Sequence, residues 1–168
     1  MTVGIFGGKK GFDVSPSGSA SNLPPLTLDR VKKVLEGESF SYQVDSDGDV
    51  FARWESGWFV FEAVGEKKEI LTIRGQWYAR PPAIDIVRAV DACNDWNRDK
   101  LWPKTYARVV DDQIRLCTEH NVDYEFGVSD EQLKQHVICT VQTSISFFES
   151  LESDFPHAWD TYRASQED

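Results

Sequence analysis

Seven consecutive residues, Trp58-Phe59-Val60-Phe61-Glu62-Ala63-Val64, set the tightest limit on what this chain can fold into. In a strand, Trp58, Val60 and Val64 fall on one face, and Phe59, Phe61 and Ala63 on the other. A half-exposed antiparallel strand alternates apolar with polar residues; this one is apolar on both faces, so both need cover. Helices can cover one face. The second calls for another helix, a terminal tail or another subunit, and cover from within the chain weighs as heavily as an interface. Trp54, Trp77-Tyr78 and Trp96 can extend the same surface, and such aromatics are enriched at binding hot spots. Trp58, Val60, Trp54, Trp77, Tyr78 and Trp96 are therefore the candidate interface.

Around that strand the pattern predicts an α+β domain. Thr27 caps a helix over Leu28–Leu35, with Leu28, Val31, Val34 and Leu35 on one face and Gly37 as its stop. Four strands follow: Phe40–Val44, Val50–Trp54, Trp58–Val64 and Glu69–Tyr78. They turn at Asp47-Gly48, Glu55-Ser56-Gly57 and Gly65–Lys68. Pro81-Pro82 opens a second helix, about Pro82–Lys100, whose Ile86, Val87, Val90 and Cys93 share a face. A hairpin of Thr105–Val110 and Ile114–Tyr124, turned at Asp111-Asp112, leads to a last helix, Asp130 to about Asp154. Ser129 with Gln132 forms its capping box. The order α-ββββ-α-ββ-α favours an antiparallel sheet with helices packed on it. One domain is expected over 27–156, with a flexible Gly/Ser-rich tail at 1–26 and a C-terminal tail at 157–168.

Charge and chemistry narrow the function. Asp and Glu total 28 against 18 Lys and Arg, for a net charge of -10, which disfavours nucleic acid and anionic membrane surfaces as partners. No secretory signal is visible, and no apolar run approaches the roughly 18 residues of a membrane span. Cys93, Cys117 and Cys139 are odd in number and lie in hydrophobic patterns, so reduced thiols and a cytoplasmic location are expected.

Asp45, Asp47 and Asp49 resemble a calcium loop only briefly. The glycine falls between the second and third acids, inside a hairpin turn, and turn chemistry explains the spot. His120, His136 and His157 lack zinc-site spacing, and no nucleotide loop or nucleophile elbow is present. The carboxylate pairs Asp111-Asp112 and Asp95/Asp99 read as solvated surface. No metal, cofactor or catalytic residue is expected.

Two stretches resemble the YbjN family of bacterial sensory transduction regulators, particularly its actinobacterial members. One is Asn94-Asp95-Trp96-Asn97 with Trp102-Pro103-Lys104 and Tyr106; the other is Gly127–Leu133 leading to Phe147-Phe148. The resemblance spans roughly Leu26–Pro156. It implies a fold like that of type III secretion chaperones: helices on a twisted antiparallel sheet, often dimeric, holding a partner polypeptide. A homodimer that binds an unknown protein partner is the leading expectation, and a small-molecule sensor with an aromatic-lined pocket is the alternative. Asn94 and Asn97 are expected to be structural, because a helix interior disfavours asparagine unless its amide is compensated. At least one should bond the backbone of the connection Leu101–Lys104.

Overall fold

The computed structural model describes residues 23–167. The expected tail at 1–26 therefore lies largely outside the described residues. Its last four residues are anchored: Leu26 is buried and Val128 N–H donates to Pro24 O at 3.0 Å. Helix α1 (Leu28–Gly37) begins where the Thr27 hydroxyl accepts from Arg30 N–H, and it buries Val31 and Leu35. Its end differs from expectation. Phe40 N–H bonds Leu35 O at 2.9 Å and Ser39 N–H bonds Glu36 O at 3.0 Å, with Ser39 at φ 60. The left-handed residue that closes the helix is thus Ser39, and Gly37 is still helical.

Among the described residues, six strands form one antiparallel sheet in the order β1-β2-β3-β4-β6-β5. They are β1 (Tyr42–Val44), β2 (Val50–Arg53), β3 (Gly57–Val64), β4 (Ile70–Trp77), β5 (Lys104–Val110) and β6 (Gln113–Asp123). At the β5–β6 turn Asp111 and Asp112 both take positive φ, 51 and 56, the backbone of a tight two-residue hairpin. At the β1–β2 turn Gly48 takes φ 89, and the Asp45 carboxylate accepts from Asp47 N–H and Asp49 N–H. That carboxylate is occupied by the turn.

Helix α2 (Ile86–Asp99) follows a 3-10 turn, Ala83–Asp85, and α3 (Asp130–Asp154) starts at the predicted cap, Ser129. The expected C-terminal tail instead begins inside a fourth helix, α4 (Pro156–Ala164), with proline at its first turn. Trp159 stacks on Trp77 at 5.9 Å and Tyr162 on Tyr78 at 5.0 Å, so this stretch is part of the packing.

One face of the sheet, carrying Phe59, Phe61, Leu71, Ile73, Trp77, Ile114 and Leu116, is buried against helical Val31, Leu35, Leu133, Val137, Phe147, Phe148 and Leu151. Arg30 ties the layers at one end. Its guanidinium donates to the carbonyls of Pro24, Pro25 and Val128 and pairs with Asp130 at 2.6 Å.

Candidate functional site

The register fixes what lies on the opposite face. Val60 sits between Phe51 of β2 and Arg74 of β4, and Trp58 between Arg53 and Gln76. Arg74 in turn faces Glu119 of β6, which faces Lys104 of β5. Val60, on this face, is only 8% exposed. Its cover is lateral. Arg74 reaches Glu62 at 3.3 Å and Glu119 at 3.7 Å, and Lys104 reaches Glu119 at 2.6 Å. Burial alone would raise the Glu119 pKa, but the Lys104 and Asn121 hydrogen bonds and the charges of Lys104 and Arg74 hold it below the ordinary value. Of these charged side chains only Arg74, directly opposite, and Glu62, two residues along the strand, neighbour Val60, and long stems of this kind can cover apolar surface in a way that hydrophobic patterning does not register.

The six candidate interface residues do not share one surface. Trp77 is fully buried against Phe155 and Trp159, because its strand position points it into the helical layer. Trp96 lies half-buried on Phe147 from α3. Both leave the candidate interface. Trp54 projects to the helical side, edge-on to Phe59 at 5.0 Å and Phe40 at 5.3 Å, but remains half-exposed. Trp58, Trp54 and Tyr78 do converge, at an open-sided cleft of about 980 Å³ between the β1–β3 end of the sheet and the end of α4. Phe51 and Trp58, with ring centroids 6.2 Å apart, line it with the stacked pair Tyr78–Tyr162. Burial raises the Tyr78 pKa, with Tyr162 adding to it. Arg53, Arg163, Glu55 and Glu167 are among the charged residues of the lining. Sequence reading missed Tyr162 and Arg163 because it placed them in a tail; Pro156 followed by Trp159 and Tyr162, three residues apart, was the available signal.

Helix α2 holds the second surprise. The expected stripe of Ile86, Val87, Val90 and Cys93 is only half borne out: Ile86 and Cys93 face the core, and the two valines do not. Ala89 and Cys93 are buried, Ile86, Ala92 and Trp96 are partly so, and Val87 is 70% exposed with Val90 beside it at 41%. The choice is steric. Small Ala89 and Cys93 let α2 approach β5 closely enough for the Thr105 hydroxyl to donate to Cys93 O at 3.1 Å. The larger valines are left outside with Ile84, which is 87% exposed. Burial pushes the Cys93 thiol up to about 11, so it is a packed, protonated group.

Asn97 bonds both ways to one backbone unit: Nδ2 donates to Thr105 O at 3.0 Å, and Thr105 N–H donates to Oδ1 at 2.9 Å. The partner is the second residue of β5, one beyond the expected connection. Asn94 lies exposed on the outer side of the helix.

A polar row runs between β6 and α3. Trp102 Nε1 donates to Cys139 Sγ at 2.9 Å, and the Trp102, His120 and His136 rings follow one another at 6.3 and 6.2 Å. His136 Nδ1 hydrogen-bonds the Tyr124 hydroxyl, and burial pushes that phenol up to about 12. Among the described residues no group of three or more His, Cys, Asp or Glu side chains is placed to hold a metal ion. No helix of the described residues is long and apolar enough to cross a membrane.

Comparison with known proteins places this architecture. The family model YbjN, described as "Putative bacterial sensory transduction regulator", matches residues 27–153. The solved structure of E. coli YbjN, described as "a putative transcription regulator", superposes with a TM-score of 0.64 at 15% identity, covering 79% of this chain and 96% of that one. At that identity the likeness is one of fold. No curated protein matches the chain.

Proposed function

The chain belongs to the YbjN family, and from that membership we propose that it is a non-catalytic regulatory domain that binds protein and acts as a homodimer. The observation that carries the proposal is the outer face of α2. Ile84, Val87 and Val90 are solvent-facing in a chain whose net charge is -10, and Leu101 at the far end of the helix is 89% exposed. An apolar stripe of this kind supports reading the helix face as a contact surface. A helix face of this kind is self-complementary about a two-fold axis, the commonest symmetry of homo-oligomers. The titratable groups that a catalytic reading would recruit have packing roles: Cys93 and Cys117 are buried with raised pKa values, and Glu119 is held in the ion network.

The test is mass in solution across dilution, by light scattering or analytical ultracentrifugation. The dimer mass is expected to give way to monomer on dilution, and Val87→Glu to give monomer throughout while circular dichroism stays unchanged. A wild-type chain that is monomeric at high concentration overturns the homodimer. The aromatic cleft favours a second reading, a small-molecule sensor, but its open side suits a chain segment better than an enclosed metabolite.

A further inference from the structure

We infer that the cleft between β1–β3 and α4 receives a short extended peptide segment in which an aromatic residue lies between an acidic and a basic one. This rests on the protein-binding reading above and names the partner's chemistry at a surface separate from α2. Three observations support it. The floor and wall are aromatic and half-exposed, with Phe51 and Trp58 tilted against each other on one side and Tyr78 stacked on Tyr162 on the other. An inserted ring gains apolar contact and edge or face packing with little further ordering of the site.

The charges at the cleft are of both signs. Among the described residues neither Arg53 nor Arg163 makes an ion pair. Glu55 and Glu167 likewise have no cation within ion-pair distance among those residues. Two guanidiniums and two carboxylates outside ion pairs, set around aromatic rings, complement a segment bearing one charge of each sign. Asp45 also lines the cleft, but its carboxylate is engaged by the β1–β2 turn.

Size is the third observation. A volume of about 980 Å³ lies at the upper end of pockets that enclose small ligands, and this one is open along a side. A metabolite of amino-acid size would leave much of it filled with water. A segment of several residues would not.

The experiment uses the full chain and a dye-labelled, end-blocked pentapeptide, Ala-Asp-Phe-Lys-Ala, followed by fluorescence anisotropy. Saturable binding is expected. Replacing the peptide's phenylalanine with alanine should weaken it tenfold or more. Arg53→Glu and Arg163→Glu lie on exposed side chains, so folding is retained. Each should weaken the original peptide severalfold and strengthen binding of a peptide whose aspartate is replaced by lysine. Equal affinity for the phenylalanine and alanine peptides, or no effect of either charge reversal, overturns the inference. If free L-phenylalanine binds as tightly as the pentapeptide, the cleft is a metabolite site and protein binding at this surface fails as well. If neither binds, the segment chemistry is wrong, while the dimer measurement stands on its own.

Discussion

Asn97 completes a strand from a helix. Thr105 belongs to β5, the last strand of the sheet, and turns its N–H and C=O away from β6. The Asn97 carboxamide offers one acceptor and one donor with the spacing of a peptide group, so it satisfies both. Ordinary hydrogen bonds contribute about 1 kcal/mol each, and an unsatisfied partly buried group costs more. Asn97→Ala is therefore expected to lower stability by about 1–2 kcal/mol in urea denaturation, with the m-value unchanged. Unchanged stability would remove Asn97 from a structural role. Its need for a backbone partner was legible from asparagine's poor fit inside a helix. Which residue it meets was not, because that depends on how near α2 comes to β5, and Ala89 and Cys93 decide the distance.

At the scale of elements, sequence pattern read strands and capped helices well. Ser129 with Gln132 placed the start of α3, and the Asp111-Asp112 turn fell where two positive φ values are found. Amphipathic phase was less legible. In α2 two stripes compete, one of valines and one of alanine with cysteine, and only the neighbour's surface selects between them. In α4 the short length hid a helix that matters. Trp159 is 8% exposed and lies at 17° to the Trp77 ring, so the C-terminal helix seals the largest fully buried side chain of the core. Trp159→Ala should cost about 3 kcal/mol and weaken the near-ultraviolet circular dichroism, which reports ordered tryptophan. A loss below about 1 kcal/mol would mean that α4 is dispensable.

Across the molecule, stability should depend on acid through His120. Burial, then the neighbouring His136 ring, lowers its pKa below the ordinary 6.5. The sign follows from linkage: an imidazole kept neutral by the fold takes up a proton more readily in the unfolded chain. Its stabilising contribution is present above about pH 6.5, falls as pH drops below that value, and stops changing once pH passes under the folded-state pKa. Denaturation midpoints measured between pH 7.5 and 5 should decline, and His120→Gln should flatten the decline. An unchanged slope in that variant would assign the acid sensitivity elsewhere.

The ion pairs on the Val60 face of the sheet have a further consequence for how the protein meets its surroundings. Arg74 lies beside Val60 and is held by ion pairs to Glu62 and Glu119, and its side chain is 46% exposed. Electrolyte weakens such attractions, and strongly excluded anions strengthen apolar association in the same solution. Concentrated sulfate acts twice in one direction, loosening those ion pairs and rewarding apolar contact. Association through this face should therefore rise with sulfate concentration, which light scattering across a sulfate series would report.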